Sequence, residues 1–230
     1  NKIKSDDIYN ILKFIRKIQK IKNSKNTLIK NAKESCLSIN DLIIQINNRY
    51  AKLLEVNIKN KNIKLKKFLH EFNSVKDNIY NLIYKNFSKK NILNKLPNHQ
   101  QIIHPADFGF HNSIKSNTKI YFIDFEYLGF DDPVKLICDF YWHPAMKLDK
   151  NISKLWLHEC LKVFNYKNIS VKLQFLLNAY GLRWSLIILN DFVNNYQNDI
   201  QNVSDKYYNI QLKKSFHIIK RIKIEKNITR

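Results

Sequence analysis

The sequence predicts an α+β fold, predominantly α-helical, in which one small β-hairpin unit sits between two helical stretches. Three observations predict it. Apolar residues recur at helical spacing through most of the first hundred residues, the period changes after Pro97, and the helical period returns beyond Pro144. The 230 residues contain only three glycines, no long Gly/Ser/Pro linker and no internal repeat. A single domain is therefore expected over 1–230, with 1–100 helical, 101–144 carrying strands and loops, and 145–230 helical.

The elements follow in order. From residue 6 to about 19, Ile8, Ile11, Leu12, Phe14, Ile15 and Ile18 form an apolar stripe after a cap at Ser5 or Asp6. A second helix begins near Ser38, with Asp41 in its first turn, and continues through Leu42, Ile46, Tyr50, Leu53 and Leu54. Residues 57–62 read as a polar break. A third pattern over 65–87 carries Leu65, Phe68, Leu69, Phe72, Val75, Ile79, Leu82 and Ile83. Short apolar stretches at 101–103 and 119–123 then flank a loop with Pro105, Gly109 and a Ser116-Asn117 turn, which predicts small strands forming a hairpin-like platform. Helices are predicted again over 153–164, 171–192 and 205 to about 223, the last ending in a basic tail.

Composition narrows the class. Apolar residues make up 44% and aromatics 13% of the chain, and no apolar run reaches the length of a bilayer span. Cys36, Cys138 and Cys160 are odd in number and lack any C-x-x-C spacing, so a disulfide framework and a zinc site are both disfavoured and a reducing cytoplasm is expected. Residue 1 is Asn and no export leader follows it, so the natural start is expected to lie upstream. The net charge of +21 raises nucleic acid as a partner. However, Lys accompanies Asn and Ile throughout, as in 57–67 and 218–226, which reads as a solvated lysine-rich face. Anionic substrates such as nucleotides are still favoured electrostatically.

The chemistry concentrates in 103–144, IHPADFGFHNSIKSNTKIYFIDFEYLGFDDPVKLICDFYWHP. This stretch gathers Asp107, Asp124, Glu126, Asp131, Asp132 and Asp139 in an otherwise basic chain. Carboxylates around a strand-turn-strand unit suit a divalent cation that takes oxygen ligands, such as magnesium. Asp107 precedes Asn112 by five positions across a loop, and Asp124 follows an apolar strand. That arrangement suits phosphoryl transfer, where one carboxylate orients the acceptor hydroxyl while an amide oxygen and a second carboxylate hold metal on the nucleotide phosphates.

The D-x-x-x-x-N loop followed by a strand and I-D-F-E resembles the catalytic core of the aminoglycoside phosphotransferase and choline kinase superfamily, which shares the protein-kinase fold. The resemblance is sharp over about 102–142 and architectural elsewhere. It implies the larger, C-terminal lobe of that fold, Asp107 as catalytic aspartate, and Asn112 and Asp124 as Mg2+ ligands, with Glu126 as a further acidic group near the metal. It also implies that Asp139 hydrogen-bonds back to the catalytic loop and keeps it rigid. In that family His-Gly precedes the aspartate, whereas Pro105-Ala106 stands here with His104 one place further away. No Gly-rich loop and no lysine-bearing strand precede the helices, so the smaller nucleotide-clamping lobe is expected to have been removed or not included.

Other residues carry two readings. Asp131 and Asp132 before Pro133 predict a turn and a helix cap. His111 could approach a phosphate or be structural. Tyr127 and Trp142 could line a substrate pocket, as could Phe130 and Tyr141, or pack in the core. Arg183, beside Trp184, could clamp an anion or snorkel from a packed helix. The expected function is an ATP- or GTP-dependent kinase acting on the hydroxyl of an amino alcohol, aminoglycoside or sugar, as a fragment of a longer enzyme. The alternatives are a non-catalytic degenerate kinase lobe, a basic nucleic-acid or protein-binding module, and a metal-dependent phosphoesterase.

Overall fold

The computed structural model describes residues 2–23, 29–116, 119–197 and 205–225. The expected turn residue Asn117 and the end of the basic tail lie outside them. The chain is predominantly helical with two small antiparallel sheets. It forms two compact units that do not follow the three expected sequence segments: Asn1–Ser38 with Asn94–Leu173, and Ile39–Leu93 with Gln174–Arg230.

The first unit is built on α1 (Ser5–Gln19), whose Ile8, Ile11, Leu12, Ile15 and Ile18 are buried and which packs on α6 (Lys150–Val163). Its start differs from the expected Ser5 or Asp6 cap. The Lys4 amide instead donates to the Asp7 carboxylate at 2.9 Å, so the acid one turn in closes the end. At the other end the Gln19 side chain grips both main-chain groups of Ile103, at 2.9 and 2.8 Å. Ile103 belongs to β1 (Ile102–His104), which pairs antiparallel with β4 (Gly129–Asp131). A second ladder joins β2 (Ser113–Ser116) to β3 (Lys119–Phe122). The expected single platform from 101–103 and 119–123 is thus two ladders, because each apolar strand pairs with a short polar or Gly-containing one.

Residues 30–32, not helical as expected for the first hundred residues, run along β4. The Ala32 amide donates to the Phe130 carbonyl at 3.0 Å, and the Phe130 amide to the Lys30 carbonyl at 2.9 Å. Gly129 permits this approach, since a Cβ there would stand 2.3 Å from the Ala32 nitrogen. Next comes α5 (Pro133–Trp142), buried along its whole length. The expected cap is present: the Asp132 carboxylate accepts the Val134 amide at 2.8 Å, with Pro133 in the first turn.

The second unit holds α2 (Ile39–Asn60), α3 (Ile63–Asn86), α4 (Lys89–Leu93), α8 (Asn190–Gln197) and α9 (Asp205–Glu225). α7 (Ile169–Ile187) begins in the first unit and continues into the second. The polar break expected at 57–62 shrinks to Lys61, in the left-handed region, and Asn62, which caps α3 by accepting the Leu65 amide. Asn and Lys cost a helix only tenths of a kcal/mol each, about 0.7 at most, and buried Val56 keeps the last turns of α2 packed. The single helix expected over 171–192 breaks after Ile187, where the Leu189 amide turns back to the Leu186 carbonyl at 3.0 Å. Phe68 meets Phe216 edge-on at 5.3 Å, joining α3 to α9.

Candidate active site

The loop that carries Asp107 starts from buried His104 at the end of β1. His104 Nδ1 accepts the Ala106 amide at 2.7 Å, and the Phe108 amide donates to the Ala106 carbonyl at 2.8 Å. Between those bonds Ala106 is held at φ 65°, a left-handed conformation that a residue with a Cβ rarely adopts. The result is a split of neighbours. Asp107 faces outward with its side chain 51% exposed, while Phe108 turns inward against Phe14, Phe122 and Phe140, with ring centroids at 5.7, 4.9 and 6.3 Å.

The loop closes on Asp107. A 3-10 turn over Phe110–Asn112 returns the chain, and Asn112 Nδ2 donates to the Asp107 carbonyl at 2.9 Å and to Asp107 Oδ2 at 3.2 Å. His111 Nε2 meets Asp107 Oδ1 at 2.9 Å. A second imidazole arrives from the end of α5, where His143 Nε2 lies 3.5 Å from that same oxygen and the His143 ring lies on that of His111, 4.1 Å apart and 12° from parallel. The His111 hydrogen bond and then that of His143 hold the Asp107 carboxyl well below the usual carboxylate range, against the opposing effect of partial burial.

The hairpin β2–β3 connects Asn112 to Asp124. The Ile123 amide donates to the Asn112 carbonyl at 3.0 Å, so the residue before Asp124 is tied to the metal-ligand candidate of the loop. Asp124 itself is exposed and left-handed, at φ 65°. Its aromatic neighbours anchor it, because Phe125 stacks on Phe14 of α1 at 5.8 Å and Phe122 meets the same ring tilted, at 4.6 Å. Of Ala106 and Asp124, Ala106 is the more costly, since aspartate visits the left-handed region more readily, and Glu34, Lys61, Lys147 and Asn168 share a positive φ elsewhere in the chain.

The remaining expected residues separate. Glu126 is exposed on the turn after Asp124. Tyr127 lies under the Lys33 ammonium, 3.7 Å from its ring centre, and its carbonyl accepts the Lys33 amide. Trp142 is 3% exposed and stacks edge-on with Tyr141. Arg183 is 4% exposed, belongs to the second unit, and donates to Gln45 at 2.7 Å. Both Trp142 and Arg183 are buried, as the packing reading of each expects. Asp139 pairs at 3.1 Å with Lys135, which also reaches Asp131 at 3.0 Å, giving a buried Asp-Lys-Asp ladder from the end of β4 into α5. Its main-chain carbonyl accepts the His143 amide at 2.9 Å, a helix-end bond that does not depend on the acidic side chain.

His143 and Lys135 are the residues the sequence reading passed over. A histidine directly before a proline, at the end of a helix opened by Asp132 and Pro133, is the signal that could have marked His143. Spacings of four between Asp131, Lys135 and Asp139 could have marked the ladder.

Asp107, His111 and His143 place three potential ligand atoms close enough for a metal ion. The tautomer of His143 argues against that use. Its Nδ1 accepts the Ala145 amide at 3.1 Å, so in the neutral ring the proton sits on Nε2, which then has no lone pair for a metal. Magnesium would instead take oxygens. Asn112 commits its amide nitrogen to Asp107, leaving Oδ1 for a cation, and Asp124 supplies an exposed carboxylate. Burial pushes the Cys138 and Cys160 thiols up, which disfavours the thiolate form. A cavity of about 470 Å³ in the second unit, lined by Lys64, Lys67, Glu71, Leu212, Lys213 and Phe216 among others, contains none of these candidates.

No known family, curated protein or solved structure matches the chain. Among the described residues, no helix is long and apolar enough to cross a membrane.

Proposed function

We propose that the chain is the larger, helical lobe of a protein-kinase-like phosphotransferase of the aminoglycoside phosphotransferase and choline kinase kind, acting in the cytoplasm. The reaction moves the γ-phosphoryl group of ATP or GTP to the hydroxyl of a small molecule such as an amino alcohol, aminoglycoside or sugar. One observation carries this reading: Asp107 and Asn112 are hydrogen-bonded across a closed loop that runs directly into the hairpin ending at Asp124. Phosphoryl transfer uses three such oxygen-bearing side chains: the first two are in contact here, and Asp124 follows just beyond the last strand of the hairpin.

The roles follow from the surroundings. Asp107 is half-exposed and held as a carboxylate, so it accepts a hydrogen bond from the incoming hydroxyl and orients its oxygen. A carboxyl this acidic is a poor base. Orientation is the larger need when the transition state is loose and the hydroxyl proton leaves late. Asn112 Oδ1 and the Asp124 carboxylate would hold Mg2+, with Glu126 as a further carboxylate nearby. When bound, that ion neutralises charge on the nucleotide phosphates.

The test is phosphate transfer by the full-length protein from γ-labelled ATP and GTP with Mg2+, against panels of amino alcohols, aminoglycosides and sugars. Loss of transfer in both Asp107→Asn and Asp124→Ala is expected. Unchanged turnover in both variants would defeat the assignment.

A further inference from the structure

We propose that His143 is a positioning residue that holds the Asp107 carboxylate from the end of α5; its part in turnover rests on the phosphotransfer reading above. Asp107 Oδ1 receives two imidazole nitrogens, His111 Nε2 at 2.9 Å from within the loop and His143 Nε2 at 3.5 Å from outside it. Asn112 takes the other oxygen at 3.2 Å. Held on both oxygens, the carboxylate cannot rotate about its Cβ–Cγ bond without losing a partner.

The proton on His143 is assigned by its own neighbour. The Ala145 amide donates to Nδ1 at 3.1 Å, so the neutral ring carries its hydrogen on Nε2, facing Asp107. The ring has little freedom. It is stacked at 4.1 Å on His111, its side chain is 13% exposed, and its amide is tied to the Asp139 carbonyl where Pro144 ends the helix. The charged groups on this stretch of α5, Lys135 and Asp139, pair with each other. His143 thus joins the buried α5 to the exposed acceptor of the loop, and a carboxylate fixed in advance orients a hydroxyl without ordering itself during the reaction.

Nitrogen NMR of the histidine-labelled chain at neutral pH reads the assignment directly. His143 is expected with Nε2 protonated and Nδ1 bare, and its Nε2 resonance is expected to move in Asp107→Ala while other histidines distant from the loop stay in place. Carbon NMR at one fixed pH is expected to show the Asp107 carboxyl line displaced in His143→Ala. The line should return toward its original position in His143→Gln, whose amide N–H can reach the same oxygen. In the full-length enzyme, His143→Ala should lower kcat on the order of tenfold to a hundredfold with the nucleotide KM unchanged, and His143→Gln should recover most of it. A ring protonated on Nδ1, an Asp107 line that ignores His143→Ala, binding of one Zn2+ through His143 Nε2, or an unchanged kcat in His143→Ala would each overturn the proposal. If the NMR pattern holds and the wild-type protein transfers no phosphate to any acceptor, the phosphotransfer reading is what fails, and the His143–Asp107 contact stands.

Discussion

The Asn112 side-chain amide binds Asp107 twice, at its carbonyl (2.9 Å) and at its carboxylate Oδ2 (3.2 Å). Both partners are acceptors, which fixes the amide with its NH2 toward Asp107 and its oxygen away. One residue therefore ties off the loop and turns its own oxygen away from Asp107. An aspartate could offer the oxygen but not the knot.

That difference orders two substitutions. Asn112→Ala removes both hydrogen bonds and should cost about 1 kcal/mol of unfolding free energy. Asn112→Asp removes the donors and also sets a second carboxylate against Asp107, so it should cost more, although it is the closer match in shape. Urea unfolding at neutral pH checks the order. An aspartate variant more stable than the alanine variant would show that Asn112 does not hold Asp107.

Gly129→Ala should be severe. The new Cβ would meet main-chain atoms of residues 30–32 at 2.3 to 2.5 Å, and backbone held in a ladder has nowhere to go. About 3 kcal/mol is expected, together with faster hydrogen exchange at the Ala32 and Phe130 amides, whose bonds hold that edge. Gly109→Ala is the contrast. There the nearest atom is the methyl end of Met146, at 2.6 Å, and a thioether chain can move aside. It should fold nearly as well as wild type while displacing His111, whose Nδ1 lies 2.9 Å from the added carbon.

Helices were legible in the sequence wherever an apolar stripe had a buried partner, as for Ile8 to Ile18 in α1 and Phe68 to Ile83 in α3. The cap at Asp132 was legible because Asp before Pro has a local mechanism. Strands were legible only by halves. The apolar runs ending at Ile103 and Phe122 stood out, while their partners Ser113–Ser116 and Gly129–Asp131 are too short or too polar to show a period of two. Asp107 and Asn112 share one loop, so their spacing could be read directly. His143 comes from a different element, and its nearness to Asp107 exists only after α5 has packed. Lys135 was hidden for another reason: in a chain this rich in lysine, nothing but the acids four residues to each side distinguishes a buried one.

Lys135 is 2% exposed and sits between Asp131 and Asp139 at 3.0 and 3.1 Å. Lys135→Met fits the volume but removes the ammonium that faces two buried carboxylates, which should cost roughly 3 to 5 kcal/mol at neutral pH. Burial already pushes the Asp131 carboxyl up, and Lys135 is the main group pulling it back down. Without the lysine Asp131 is driven further toward protonation, so the folded variant binds more protons than its unfolded chain, and its deficit should narrow as the pH is lowered from 7 toward 5. Thermal unfolding of the two proteins across that range decides it. A deficit independent of pH would mean that the ladder is held by packing alone.

Asp107 should behave in the opposite sense. Its carboxyl is held below the ordinary value of about 4 by the imidazoles of His111 and His143, so near pH 4 the folded chain binds fewer protons than the unfolded one. The stability this contributes is complete above the ordinary carboxylate range and is lost as the pH falls through it toward the depressed folded value. Urea unfolding of the wild type and of Asp107→Asn, compared between pH 3 and 6, should give a difference that is largest at the upper end and shrinks below about pH 4. The effect is bounded because the side chain is half in water, where solvent screens it. Asparagine keeps an oxygen for the two imidazole N–H groups but turns its own NH2 toward that of Asn112, a loss that does not vary with pH, so the part of the difference that varies with pH isolates the charge. A constant offset across the range would mean that the imidazoles hold the oxygen by shape and that the negative charge at position 107 adds nothing to the folded state.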